Sequence, residues 1–518
     1  MKKARPSTAL QVGGLLLLAA VLTVTAYAHI HTVVTGYIDI VHYYESARAL
    51  LEAATPTAFL HALLRWAPLF PALFALVLRW GGPSAVYFIN PPLVALLITG
   101  LGVWTWRLRR DFAAAVLTVL LAAILFLTSQ GRVSVYMLYP FREPLSFLFI
   151  WAGLLLALAA GRANGRRADL EWVLSGCAYV LAAAVREPSI FALSGAIAYA
   201  LAQSRTPWPR RWRHAALTAA PFLAAACGLV LLAGLTGITG TAQLSGWRNM
   251  TADLTWDAWQ TMLFRYLHWW RIMCGWPGLV LAGLGLAYLW RTRETAWWLL
   301  VPPLLITLGF YAGFAVSSRY ALSSAIYLVP LAALGARWTV HGLARALRRG
   351  QPWVERGLLA ILAGGLLFHA FQGMLRVDPR ERVSRPDMSR FRAALATYVP
   401  PGRLVTTEYR ARHLIDALTT QLALPQTGAP HFIAEVARHG AGYFLKPLTP
   451  ASLSQAKVPF PNIAFEERIR QQLDIHPVTD ARNQPVTMSL GPGAYALLRV
   501  SPWQAVSVTQ DLTAAHCA

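Results

Sequence analysis

The sequence predicts a polytopic α-helical membrane protein with about eleven transmembrane helices, interfacial helices in the first outside loop and a small C-terminal α/β extracytoplasmic domain. Three observations predict it. The first is composition: of 518 residues, 56% are hydrophobic and only 13% are charged, about half the charged share of a soluble chain. Mean hydropathy is +0.46. The second is a succession of eleven apolar runs. The third is where the arginines fall between those runs, together with a shift to polar residues after residue 374. A soluble enzyme, a disordered tail and a fibrous repeat are excluded. The 20 tryptophans suit side chains that anchor at membrane interfaces.

The first apolar run follows MKKARPSTAL and ends near Ile30. Its basic start and Ala26-Tyr27-Ala28 imitate a secretory signal. Nearly twenty apolar residues are nonetheless enough to span, so it is read as a retained helix. The other runs lie at roughly 84–106, 112–129, 144–161, 171–185, 188–203, 214–236, 276–290, 295–314, 321–336 and 357–374. Two are short, 171–185 and 188–203. Arg186-Glu187-Pro188 separates them and reads as a tight outside turn, with a single bent helix as the alternative.

The net charge is +23, from 46 basic and 23 acidic residues, and only four of the basic residues are lysines. So basic a chain raises nucleic acid as a partner. Arginine gathered in cytoplasmic loops explains the balance better, and the expected surrounding is the lipid bilayer, with no nucleic acid. Placing the loops alternately from an inside N-terminus puts 20 basic residues inside. Ten fall outside before residue 375: Arg48, Arg65, Arg79, Arg132, Arg142, Arg186, Arg248, Arg265, Arg271 and Arg319. Eleven spans leave the C-terminus outside. Residues 1–374 are thus the transmembrane module and 375–518 an extracytoplasmic domain. In that domain Arg403–Thr407 and Ala494–Val500 read as strands, and Ser389–Tyr398 and Arg410–Leu422 as helices. The four cysteines are scattered without metal-ligand spacing or a disulfide framework.

Chemistry is expected in and around the first outside loop, 31–83. From Asp39 to Leu51 the apolar residues Ile40, Tyr43, Tyr44, Ala47, Leu50 and Leu51 recur at helical spacing, as in an interfacial amphipathic helix. Thr57 to Trp80 is apolar but carries Pro68 and Pro71. It reads as a second interfacial or re-entrant helix, with a full span as the alternative. Asp39, at the exit of the first span, either caps the amphipathic helix or serves as a catalytic base. Asp39 and His42 are three apart on one helical face. They could contribute to a divalent metal site, but two ligands are too few to assign one, so no cofactor is assigned.

Arg132, Arg142, Arg186, Arg248, Arg265, Arg271 and Arg319 come from four different outside loops. Snorkelling or pairing with Glu143, Glu187, Asp253 or Asp257 explains any one of them. As a set they point to an anionic substrate, because arginine grips phosphate in a bidentate way. Arg142-Glu143-Pro144 and Arg186-Glu187-Pro188 repeat the same tripeptide before an apolar helix. Pro and Glu suit a first helical turn, but capping leaves the arginine unexplained. A P-loop, a dinucleotide fingerprint, HExxH and a convincing GxSxG are absent, which argues against an ATP-driven pump.

These features resemble those of bacterial relatives of the dolichyl-phosphate-mannose protein mannosyltransferases and the lipid A aminoarabinose transferases, membrane glycosyltransferases of the GT-C fold. Tyr37-Ile38-Asp39-Ile40-Val41-His42-Tyr43-Tyr44 is similar to their first-loop pattern. Ser318-Arg319-Tyr320 is similar to their Arg-Tyr entry into a late helix. Thr397-Tyr398-Val399-Pro400-Pro401-Gly402-Arg403 is similar to the start of their outside domain. Where many relatives show Asp-Glu, Ile40 follows Asp39 here.

The resemblance implies a polyprenyl-phosphate-linked sugar as donor, a glycan, lipid or protein acceptor outside the bacterial cytoplasmic (inner) membrane, and inversion at the anomeric carbon. It implies Asp39 as catalytic base and Arg319, Arg186, Arg142 and Arg271 as ligands of the donor phosphate. His42, Tyr43, Glu143, Glu187 and Tyr320 are secondary candidates. Two rival functions are a transporter or flippase of a lipid-linked anionic solute and a non-catalytic envelope polysaccharide assembly protein. The first predicts symmetric halves, and none is visible. The second would tolerate Asp39→Asn.

Overall fold

The computed structural model describes residues 8–30, 43, 46–47, 49–64, 67–128, 133–204, 206–236, 255–313, 318–347, 352–375, 385–400, 404–407, 436–437, 441–447, 470–490 and 493–502. The chain divides into two compact units. One is Met1–His29 with His42–Arg376, and the other is Ile30–Val41 with Val377–Ala518.

The first unit is helical. Among the described residues eight helices are long and apolar enough to cross a membrane, or ten if each of two bent pairs counts as one span. In chain order the helices are α1 (Thr8–Ile30), α2 (Pro56–Leu64), α3 (Leu69–Ala85), α4 (Asn90–Arg109), α5 (Phe112–Leu127), α6 (Val133–Leu138), α7 (Glu143–Ala160) and α8 (Gly165–Val185). There follow a 3₁₀ segment (Glu187–Ala192) running into α9 (Leu193–Leu201), then α10 (Trp208–Thr236), α11 (Trp256–Arg291), α12 (Val301–Ala312), α13 (Ser318–Ala325), α14 (Leu328–Ala346) and α15 (Pro352–Leu375). The eleven apolar runs fall on helical segments, although 321–336 is divided between α13 and α14 by a 53° bend, and 84–106 and 295–314 each include a 3₁₀ turn, Val86–Phe88 and Thr295–Leu299. Phe112–Leu127 and Glu187–Leu201 are apolar but shorter than a usual span.

Three local features shape this unit. Asp111 caps α5, accepting from the backbone N–H of Ala113 at 3.0 Å, as short polar side chains do at helix starts. Helices α2 and α3 are turned by 117° across Pro68, so this stretch is not one straight span. In the part of the first loop that is described, Tyr43, Ala47 and Leu50 are all buried, which agrees with an amphipathic helix. The largest departure from the sequence reading is α11. Residues 237–275 read as a loop, yet the helix begins at Trp256, where Thr255 accepts from the N–H of Ala258. It kinks at Gly275, with φ 66°, just before Pro277. Asp257, Arg265, His268 and Arg271 lower the hydropathy of the first half without disfavouring helical backbone.

The helices run between two ends. At one end the arginine-rich loops hold one another. Arg162 donates to the carbonyls of Arg107 and Leu108. Arg109 pairs with Glu294 at 3.7 Å, and Arg213 with Asp169 at 2.6 Å. Arg337 bridges Asp111 at 2.6 Å and Glu355. At the other end Asn90, the first residue of α4, donates to the carbonyls of Tyr139 and Phe141. This ties the start of α4 to the approach to α7.

Helices α11 and α14 touch through glycine. A Cβ on Gly335 would lie 1.9 Å from the Leu281 carbonyl oxygen, and one on Gly285 would lie 1.9 Å from that of Leu331. Small residues allow such backbone approach where apolar burial supplies little drive. Gly335→Leu should therefore force the helices apart and cost about 1–3 kcal/mol or more. The check is a lowered melting temperature in detergent, with Gly342→Leu, a position open to space, melting as the native protein does.

In the second unit, α16 (Arg385–Tyr398) packs on a five-stranded sheet of β1 (Leu404–Thr407), β2 (Gly442–Pro447), β3 (Leu473–Pro477), β4 (Thr487–Leu490) and β5 (Gly493–Pro502). The order is β1-β2-β5-β3, with β4 also on β5. Among the described strands only β1 and β2 are parallel. Phe391 and Leu395 of α16, with Val399 just past its end, recur every four residues and meet Leu445, Val486, Met488 and Leu497, the stripe expected of a helix covering a sheet. The strands and the first helix read from the sequence are present. Arg410–Leu422 lies outside the described residues.

Candidate functional site

The two Arg-Glu-Pro tripeptides meet. Glu143 opens α7 and Glu187 opens the 3₁₀ segment, each followed by proline in the first turn. Proline there gives up an N–H that has no helical partner, and the carboxylate complements the helix N-terminus. Each arginine serves the other tripeptide. Arg142 Nη1 lies 3.6 Å from Glu187 Oε2, and Arg186 Nη1 lies 3.8 Å from Glu143 Oε1. Ser146 and Ser189, one turn into each segment, share a hydrogen bond of 2.5 Å. The arginines that capping leaves unexplained are thus cross-partners of two converging helix starts.

Arg319, from α13, completes the cluster. Its Nε donates to Glu143 Oε1 and its Nη2 donates to the Tyr43 hydroxyl at 3.1 Å. Its guanidinium lies over Phe141 at 5.0 Å and Tyr136 at 5.9 Å. Tyr43 rests edge-on against Phe70 of α3, 5.0 Å between centroids. Arg186 Nη1 also donates to Ser323 Oγ at 2.6 Å. Its guanidinium lies over Tyr311 and Tyr320 at 5.4 and 5.6 Å, two rings stacked 5.0 Å apart. Trp270 of α11 donates to Ser324 at 3.0 Å and steadies the far side of α13.

Burial makes this cluster unusual. Glu143 is 0% exposed, Arg186 2%, and Arg142 and Arg319 7% each. Ionised side chains inside a membrane-embedded bundle are costly and mark functional sites. Three guanidinium groups face two carboxylates, leaving one positive charge in excess among the described residues. Arg186 Nη2 and Glu143 Oε2 are buried without a hydrogen-bond partner. Next to Arg186 a small cavity is lined by Ser189, Thr307, Tyr311 and Ser323 on its polar side and Phe147 and Tyr327 on its apolar side. Such a cluster can accept an anion, since guanidinium forks match tetrahedral oxyanions.

Of the residues singled out in the sequence, Arg142, Arg186, Arg319, Glu143, Glu187, Tyr43 and Tyr320 come together. Asp39 and His42 lie outside the described residues, as do Arg132 and Arg248. Arg271 does not join the cluster. It is exposed on α11, with Nη2 3.2 Å from Nδ1 of His268. Among the described residues no three His, Cys, Asp or Glu side chains are grouped to hold a metal ion. Sequence reasoning missed Tyr311 and Ser323. Ser323 stands one helical turn after Arg319, a spacing that places both on one face. Nothing local marks Tyr311.

The sequence matches no family model and no curated protein. Solved structures do resemble it. ArnT from Cupriavidus metallidurans, solved bound to undecaprenyl phosphate, superposes with a TM-score of 0.58 at 13% identity, over 94% of this chain and 98% of that one. An oligosaccharyltransferase from Archaeoglobus fulgidus, solved with zinc and sulfate, superposes with a TM-score of 0.53 at 14% identity, over 83% of this chain and 68% of that one. At such identities the likeness speaks to architecture: the chain has the GT-C fold.

Proposed function

We propose that this chain is an integral-membrane glycosyltransferase that moves a sugar from a polyprenyl-phosphate donor to a glycan, lipid or protein acceptor, on the extracytoplasmic side of a bacterial inner membrane. The observation that carries the reading is the convergence of Arg142, Arg186 and Arg319 from three separate chain segments on two carboxylates, Arg186 and Arg319 on the buried Glu143 and Arg142 on Glu187. The GT-C fold supports it, as does the undecaprenyl phosphate bound to the ArnT neighbour.

In this reading the acceptor oxygen attacks the anomeric carbon as the bond from that carbon to the phosphate oxygen breaks. The electron pair leaves with the polyprenyl phosphate, and the anomeric configuration inverts. Asp39 takes the acceptor proton. Charge grows on the departing phosphate, so arginines fixed beforehand favour the transition state over the ground state. Glu143 holds Arg186 and Arg319 in place. It thereby spares the reaction the cost of ordering two long side chains.

The test uses the full chain in lipid with a panel of radiolabelled polyprenyl-phosphate sugars and envelope acceptors. Wild type should release free polyprenyl phosphate from one donor. Asp39→Asn should release it at least about 100-fold more slowly, the usual share of a general base. No release from any donor by well-folded protein overturns the function. Full turnover by Asp39→Asn removes Asp39 as the base.

A further inference from the structure

A second concentration of positive charge lies at the arginine-rich end, away from the cluster around Glu143. Helix α11 closes there through two backbone bonds, from Arg293 N to the Trp290 carbonyl and from Glu294 N to the Leu289 carbonyl, both 3.0 Å. In this closing motif the residue that turns left-handed is usually glycine. Here it is Arg293, with φ 52°, a conformation strained for any residue with a Cβ.

Glu294, the carboxylate of this turn, is directed to Arg109. The side chains of Arg291 and Arg293 have no ion pair or hydrogen bond to the described residues. Both line a pocket of about 490 Å³ together with Trp290, Thr295 and Trp297. Its indoles form a wall: Trp290 and Trp297 are 5.6 Å apart, and Trp297 stacks on Trp298 at 3.9 Å.

What leads into the pocket identifies its ligand. Trp276, Val280, Gly283, Ala287 and Trp290 are all exposed and follow one another at spacings of four and three, so they share one face of α11. The face is apolar throughout. At 1.5 Å per residue it runs about 21 Å, more than half of a hydrocarbon core about 30 Å thick. An apolar track that ends in two uncompensated arginines flanked by tryptophan has the two-part chemistry of a lipid. Hydrocarbon lies along the helix, an anionic phosphate sits at its end, and indoles stand at the level of the headgroups. A soluble phosphate compound would use the arginines but not the track.

We propose that this pocket binds the phosphate of an anionic glycerophospholipid of the surrounding membrane, with Arg291 and Arg293 as its ligands and the exposed face of α11 against its acyl chains. Such a lipid would clasp the turn between α11 and α12. The site is separate from the proposed donor site and does not depend on the glycosyltransferase reading.

The test takes the full-length protein in mild detergent, offers it equal amounts of phosphatidylglycerol and phosphatidylcholine, and counts retained lipid by native mass spectrometry. Wild type should retain phosphatidylglycerol in preference and melt several degrees higher with it. Retention should fall about tenfold in the double variant Arg291→Gln with Arg293→Gln, a change of about 1.4 kcal/mol. Arg293→Gly separates binding from folding. Glycine tolerates the left-handed backbone, so this variant should melt at or above the wild-type temperature in detergent alone and still lose phosphatidylglycerol. Equal retention of the two lipids, or undiminished retention by the double variant, overturns the site. Equal stabilisation by inorganic phosphate overturns its assignment to a lipid.

Discussion

Glu143→Ala should be the most damaging single substitution in the helical unit. The carboxylate has no exposure and is shared by Arg319 and Arg186. Removing it leaves two guanidinium groups buried beside a third, that of Arg142. Breaking a buried pair from one side costs about 3–5 kcal/mol, because the remaining charge has no water to turn to. That is a large share of a stability of about 5–15 kcal/mol. The expected result is little folded protein after extraction, or a melting temperature lowered by many degrees. Glu143→Gln keeps an oxygen that accepts from Arg319 and should fall between alanine and wild type. If Glu143→Ala melts within a degree of wild type, Arg186 and Arg319 are not held by this carboxylate.

The second large effect concerns turnover and depends on the proposed function. Arg186→Met should lower kcat/KM for release of polyprenyl phosphate by about 100- to 1000-fold, the loss seen when one fixed donor to a developing oxyanion is removed. The fold should survive, since Glu143 keeps Arg319 and the methionine fits the aromatic walls of Tyr311 and Tyr320. Arg186→Lys should not restore the rate. An ammonium has no flat fork to lie over two rings while it donates to Ser323. Arg271→Ala, measured in parallel, should have a far smaller effect, because Arg271 is exposed and bound to His268. Equal losses at Arg186 and Arg271 would mean that the donor phosphate lies along α11 and not at the cluster.

Much of the architecture was legible from composition, because lipid allows few solutions. A backbone in hydrocarbon must satisfy its own hydrogen bonds, so long apolar runs had to be helices, and all eleven lie on helical segments here. The same logic failed for 237–275, where polar residues dilute the hydropathy while α11 already begins at Trp256. Helix formation follows backbone bonding and capping, and hydropathy reports only how the side chains are solvated. In the C-terminal unit the alternation over Ala494–Val500 was enough to place the central strand β5, whereas the partners of that strand depend on contacts distant in sequence.

The candidate site divides in the same way. The residue types were readable: arginines at boundaries disfavoured for them, and a tripeptide that capping half explains. Their pairing was not. Arg142 and Glu143 are neighbours in sequence, yet each finds its partner in the other tripeptide some forty residues away. Arg319 reaches Glu143 from a helix 176 positions further on. The sequence by itself determined that this protein lives in a membrane, spans it many times and places arginines at the ends of its apolar runs. Only the tertiary structure decided which arginines share a carboxylate, because helix packing alone brings α7, the 3₁₀ segment and α13 to one point, and a buried charge settles where packing supplies its counter-charge.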